Sequence, residues 1–246
     1  MDLADKVALI TGGRRIGVTV AERLAGLGAD IALAYNRSRD EAESAADRVR
    51  GAGRAAVVTQ ADLTNPSAVE RVVDETAARF GRLDILIHMA SVYRRTPFDA
   101  LTEEEWTRTL DVDLAAAWRL ARAAVPHLRA AGGGHIVHFS DWIAASGRPR
   151  YAGYLPYYVA KRAVVGLTEA LALELAGDRI LVNAIAPGPM VPPSDLDAGE
   201  IEAVERATPI GRWGGAEAVA DAVAGLLQSD FITGETIRVD GGRHLR

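Results

Sequence analysis

From Val7 to Val239 the chain alternates short apolar, β-branched runs with longer segments whose alanines and leucines recur at helical spacing. Strands are expected at 7–10, 31–35, 55–59, 85–87, 136–139, 180–185 and 236–239. Helices are expected at 15–28, 40–50, 66–80, 157–175 and 216–227, and one or two more within 103–129, interrupted at Pro126. The runs at 7–10, 31–35 and 85–87 are apolar throughout rather than alternating, so both faces of those strands must be buried. Helices between such strands then cover both sides of a parallel sheet. The expected fold is α/β: a single doubly wound Rossmann-type parallel sheet with helices on both faces. No repeat or linker divides the 246 residues, which are read as one domain, 1–246.

Composition narrows the function. The absence of cysteine excludes disulfides, thiolate metal sites and thiol nucleophiles, and fits a cytoplasmic protein. The five histidines suggest no metal site; His135 and His138, three apart in a strand, face opposite ways. A formal charge of −5 argues against nucleic acid as partner, and no apolar run is long enough to suggest a membrane span. A small-molecule substrate is the expected partner.

Loops following the strands of such a sheet border its ligand cleft. Val7-Ala-Leu-Ile-Thr-Gly-Gly-Arg-Arg-Ile-Gly17 places glycines between the first strand and a helix. There they allow a tight turn and bring backbone N–H groups close to a pyrophosphate. The second strand ends in Tyr35-Asn36-Arg37-Ser38, with no acid to accept from a ribose 2′-hydroxyl. Arg37 and Ser38, with Arg14 approaching from the glycine turn, suit a 2′-phosphate, so NADPH is the expected cofactor. A plain strand-to-helix turn and solvated arginines are the competing structural reading.

Only two of the 28 basic residues are lysines, Lys6 and Lys161. Lys161 follows Tyr157 by four residues, hence on one helix face. A free phenol is a weak acid, with a pKa of about 10. A nearby ammonium is expected to lower that value, making Tyr157 a proton donor to a carbon–heteroatom double bond receiving hydride. Simple packing is the alternative, since Tyr151, Tyr154 and Tyr158 crowd the same stretch.

These motifs, in this order, resemble the short-chain dehydrogenase/reductase family over essentially the whole chain: Thr11-Gly12-Gly13 through Gly17, Asp62-Leu63, Tyr157-x-x-x-Lys161, Asn183-Ala-Ile-Ala-Pro-Gly188 and Val239-Asp-Gly-Gly242. The resemblance implies a cofactor site of Thr11, Gly12, Gly13, Arg14, Arg15, Ile16, Gly17, Asn36, Arg37, Ser38, Asp62, Leu63, Ala90, Tyr157, Lys161, Pro187 and Gly188. It further implies that Lys161 holds the nicotinamide ribose, that Asp62 reads the adenine and that Asn183 is structural. A substrate lid at about 187–210 and a homotetramer built through 209–212 and the C-terminal Asp240-Gly-Gly are also implied.

Three departures stand out. Asp141 occupies the family's serine position, Asp113 its helix asparagine, and His88-Met-Ala-Ser91 replaces Asn-Asn-Ala-Gly. Asp141, Arg15-Ile-Gly17 and Tyr35-Asn-Arg-Ser38 resemble the pteridine reductase branch, although the glycine loop is shorter and the stretch from Asp141 to Tyr157 longer. The catalytic set is then Tyr157, Lys161, Asp141 and Asp113, with Ser140 a rival for Asp141 and with Asp113 reaching Lys161 through water. Ser91, Tyr93, Trp142 and Met190 are substrate candidates, Tyr93 as an aromatic that sandwiches a planar ring. The expectation is NADPH-dependent reduction of a C=N or C=O of a planar heterocycle such as a pterin. The alternatives are 3-oxoacyl thioester or small-ketone reduction, and an NADPH-sensing protein without turnover.

Overall fold

Strand β1 (Val7–Thr11) is buried at all five positions and lies at the centre of the molecule. Its neighbours are β2 (Asp30–Tyr35) and β4 (Ile85–His88), both parallel to it. With β3 (Ala56–Gln60), β5 (Gly134–Phe139), β6 (Ile180–Pro187) and β7 (Thr236–Val239) they form one seven-stranded parallel sheet in the order β3-β2-β1-β4-β5-β6-β7. The computed structural model describes residues 1–12, 14–194 and 196–246. Gly13, named above for the cofactor turn, and Asp195 in the expected lid lie outside the described residues.

Successive strand residues point to opposite faces, and the two cores divide accordingly. Ala8, Ile10, Ile85, Ile87 and Val137 join the face covered by α1 (Ile16–Gly26), α2 (Arg39–Gly51) and α9 (Gly215–Gln228). Leu9, Leu86 and Ile136 join the face covered by α3 (Pro66–Phe80), α5 (Ala116–Ala130) and α7 (Leu155–Leu175). Helix α1 buries Gly17, Val20, Ala21, Leu24 and Ala25, a stripe with the period of a helix lying on a sheet. Each large aliphatic side chain so buried stabilises the fold by about 1.5–3 kcal/mol.

The expected break at Pro126 does not occur. Helix α5 runs through it, held by the buried Leu120, Ala121, Ala124, Val125 and Leu128 on the sheet side. The irregularity falls earlier, between α4 (Glu103–Leu110) and α5, where Asp111–Ala115 forms a wider π turn. Two further helices arise where the sequence pattern predicts no element: α6 (Trp142–Ala145) and, within 187–210, α8 (Ala198–Ala207). Asp197 and Glu200 close α8 with a reciprocal capping box. No described helix is long and apolar enough to cross a membrane.

Candidate active site

The strand order reverses between β1 and β4, and a cleft of about 560 Å³ opens there at the strand ends. Gly12 turns the chain out of β1 with φ +74°, and a Cβ there would sit 2.4 Å from Ala90 Cα. That close approach brings the β1 and β4 loops together at the cleft floor. The N-terminus of α1 has no side-chain cap, so its N–H groups stay available to an anion. Asn36, Arg37 and Ser38 line the far end, and Asp62, Leu63 and Ala90 the near side. Thr64 binds the Asp62 carboxylate through backbone N–H and hydroxyl, holding its pKa below the usual range. This glycine-floored, basic-ended cleft fits a dinucleotide.

Some expected cofactor residues lie elsewhere. Thr11 is fully buried, its hydroxyl 2.7 Å from His88 Nδ1, and so ties β1 to β4 instead of facing the cleft. Arg15 donates to Pro192 O, linking the glycine turn to the segment after β6. Arg14 lines the cleft with both Nε and Nη2 on Glu41 Oε1, at 3.0 and 2.8 Å. Gly188 packs against Asp240, where a Cβ would meet backbone at 2.6 Å. Glu41 and Arg108, in ordinary helices, and Val112, in the π turn, also line the cleft and were missed because none carries a local motif.

Beyond the cleft, α7 places Tyr157 and Lys161 one turn apart against the end of β5. Asp141 caps α6 by accepting from Ile143 N through Oδ1, which fixes its carboxylate, and Oδ2 accepts from Tyr157 OH at 3.0 Å. Ser140 points away and donates to Lys161 O at 2.9 Å. Of the two, Asp141 is therefore the residue beside the phenol.

Lys161 Nζ donates to Phe139 O and forms a direct 2.9 Å ion pair with Asp113. The contact is direct, where one through water was expected. The π turn rotates Asp113 inward, fully buried, where it also accepts from Ser91 Oγ and Val92 N. The expected acidification of Tyr157 is also corrected. Burial, then the charges of Asp141 and Asp113, push the phenol well above its ordinary value and outweigh the nearby Lys161 ammonium. Burial likewise raises Asp141, against the hydrogen bonds from Ile143 and Tyr157 and the Lys161 charge. At neutral pH Tyr157 is a protonated phenol, the form a donor requires.

Among the substrate candidates, Ser91 is held by Asp113. Tyr93 packs edge-on to Tyr157 at 4.9 Å, but its face is already stacked on Tyr154 at 4.7 Å. Met190 is a core residue whose carbonyl anchors Gly215 at the start of α9. Trp142 is 5% exposed and lines a separate cavity rather than the cleft. His88, His135 and His138 are buried in the sheet, and no described group of three or more His, Asp or Glu is placed to hold a metal ion.

Comparison with known proteins follows this geometry. Residues 12–244 match the family model described as enoyl-(acyl carrier protein) reductase. The 3-oxoacyl-(acyl-carrier-protein) reductase FabG of Staphylococcus aureus is 34% identical, over 98% of both chains. The short-chain reductase protein NovJ of Streptomyces niveus is 36% identical, over 97% of this chain and 94% of that one. A short-chain dehydrogenase from Burkholderia cenocepacia, solved in complex with NADP, is 36% identical and superposes with a TM-score of 0.91 over 99% of both chains.

Proposed function

The chain belongs to the short-chain dehydrogenase/reductase family of NAD(P)-dependent oxidoreductases, and from that premise we infer that it is an NADPH-dependent reductase of 3-oxoacyl thioesters or small ketones. The observation that carries this reading is the Asp141–Tyr157–Lys161–Asp113 chain at the mouth of the dinucleotide cleft. The name of the Staphylococcus aureus relative supports a 3-oxoacyl substrate. Arg37 and Ser38 at the cleft end, and the absence of an acid at the end of β2, support NADPH over NADH.

Bound NADPH supplies the hydride. Tyr157 binds the substrate oxygen and gives it the phenolic proton as the carbon is reduced, so the carbonyl becomes an alcohol and Tyr157 a phenolate. Asp141, with its raised pKa, takes up a proton from solvent and passes it to the phenolate along the hydrogen bond between them. Lys161 fixes the ribose side of the cleft and stabilises the phenolate, and Asp113 holds Lys161 in place. The segment 187–210 acts as the substrate lid. The exposed Leu173 and Phe231 support burial between subunits of a homotetramer, which we place in the cytoplasm.

A second reading, reduction of a C=N in a planar heterocycle such as a pterin, is favoured by one observation. Asp141 stands where the family carries serine, and it is hydrogen-bonded to the proton donor. Oxidation of NADPH and NADH, followed with an acetoacetyl thioester, a diketone panel and dihydrobiopterin, separates the two. Turnover of the thioester or diketones with NADPH is the expected result. Faster turnover of dihydrobiopterin would establish the second reading in its place.

A further inference from the structure

Trp142, directly after Asp141, lies in a second cavity of about 650 Å³ with Arg148, Arg150, Tyr151, Arg243 and Arg246. This concentration of positive charge stands out in a chain whose net charge is −5. None of the four arginines has a carboxylate within ion-pair distance among the described residues, where most of the molecule's ion pairs do use arginine. The neighbouring acids are committed elsewhere. Asp240 accepts from Gly242 N, His244 N and His244 Nδ1, and Glu202 pairs with Arg206.

Three of the four arginines, Arg150, Arg243 and Arg246, are held in part before any ligand binds. The Arg150 guanidinium carbon lies 5.1 Å, and that of Arg243 5.8 Å, from the centre of the buried Trp142 ring. Arg243 and Arg246 each give one nitrogen to carbonyls in the last turns of α8, Val204 O and Arg206 O. That accounts for part of their donor capacity, since a guanidinium carries five N–H donors. The side chains of Arg148 and Arg150 make no hydrogen bond among the described residues. Four guanidinium groups lining one cavity match a phosphate ester, with its near-double charge and three acceptor oxygens, better than a single carboxylate.

The cavity also adjoins the reacting centre. Asp141 and Trp142 are consecutive, and the loop whose Tyr151 lines the cavity carries Tyr154 against Tyr93 and hence Tyr157. Three residues span at most about 11 Å. We propose that this cavity is a phosphate subsite for the end of the substrate remote from the reacting carbonyl. The proposal rests on the thioester or ketone reading for its substrate, but the subsite can be tested without turnover.

Two measurements decide it, on wild type and on R148Q/R150Q, whose exposed side chains leave the core intact. In the first, inorganic pyrophosphate is titrated calorimetrically into protein saturated with NADP, which occupies the phosphate positions of the dinucleotide cleft. Saturable one-to-one binding, weakened at least tenfold in the variant, is expected. No binding, or equal binding to both proteins, overturns the subsite whatever the enzyme reduces. In the second, kcat/KM is compared for acetoacetyl thioesters of N-acetylcysteamine, phosphopantetheine and coenzyme A. The variant should lose at least tenfold, through KM, on phosphate-bearing thioesters and nothing on the neutral one. Loss on both charged thioesters identifies the pantetheine phosphate, and loss on the coenzyme A thioester alone identifies the nucleotide end. An equal change on all three overturns the proposal. If no thioester turns over in wild type, the thioester reading fails and the pyrophosphate titration still tests the subsite.

Discussion

Lys161 Nζ lies 2.9 Å from Asp113 Oδ1, and both side chains are shut away from water. Burial first, and then the Asp141 and Asp113 carboxylates, outweigh the Lys161 ammonium at the Tyr157 phenol, which is pushed up rather than down. In Asp113→Asn the amide keeps the shape but not the charge. The Lys161 ammonium then favours the phenolate, and the alkaline limb of the kcat/KM profile should move down by at least about one pH unit. An unmoved profile would show that Asp113 does not govern the phenol. Asp113→Ala instead leaves a buried ammonium alone and should destabilise the fold by about 3–5 kcal/mol.

Tyr157→Phe removes the proton donor while keeping the ring that packs against Tyr93. Turnover should fall by about 10²–10⁴-fold, the range for a positioned general acid, with NADPH affinity unchanged by fluorescence titration. Undiminished turnover would remove Tyr157 from the chemistry.

Asp141→Ser tests which substrate class the carboxylate serves. A serine hydroxyl can still hydrogen-bond to Tyr157 and cap α6, but it carries no charge and its proton is far less acidic than a carboxyl. Removing the negative charge beside the phenol lowers the Tyr157 pKa. Ketone and thioester reduction should therefore persist in the variant, while any pterin reduction should fall by at least about tenfold. Loss of ketone turnover with pterin turnover intact would reverse the assignment.

The fold was legible because burial on both faces leaves a strand no choice of composition. The apolar runs of β1, β2 and β4 and the stripe of α1 say as much without coordinates. Tyr157, Lys161 and Asp141 were legible for a similar reason: four residues on a helix, or one residue past a strand end, fixes direction. What stayed hidden depends on contacts remote in sequence. Nothing local shows that Asp113 neutralises Lys161 across 48 positions, since the π turn that aims it has no sequence signature. Trp142 follows Asp141 yet turns into the arginine cavity, because α6 begins between them and rotates successive side chains apart.

Arg14 and Arg37 divide the expected 2′-phosphate contact unequally. Arg14 is tied to Glu41 in an exposed pair, an interaction worth about 1 kcal/mol or less, so it can be recruited at small cost. Arg37 has no such partner among the described residues. Glu41→Gln should therefore change the NADPH Kd by no more than about fivefold, in the tighter direction. Arg37→Gln should weaken NADPH by at least about tenfold and leave NADH unaffected, the effect of losing a charged hydrogen bond. Equal effects on the two cofactors would remove the 2′-phosphate from Arg37.

Three histidines inside the sheet set the acid limit of stability. His88, His135 and His138 are 2%, 3% and 0% exposed, and His135 Nδ1 and His138 Nε2 have no hydrogen-bond partner. Burial, reinforced for His88 and His138 by the Lys161 charge, lowers His88 and His138 to about 3 and His135 to about 4. Above pH 6.5 the three are neutral whether the chain is folded or not, and they contribute no pH dependence. Below 6.5 the unfolded chain takes up protons that the folded one refuses, so stability falls as pH falls, until the folded pKa values are reached. With about 1.4 kcal/mol per pH unit for each group, the loss by pH 5 is about 2 kcal/mol per histidine and about 6 kcal/mol for all three. Urea unfolding at pH 7.5, 6.0 and 5.0 should show midpoints dropping steeply over that interval. In His138→Gln, whose side chain cannot take up a proton, the slope should shrink by about a third, in proportion to the groups remaining. A wild-type midpoint that stays level between pH 6.5 and 5 would mean that these rings are protonated in the native sheet.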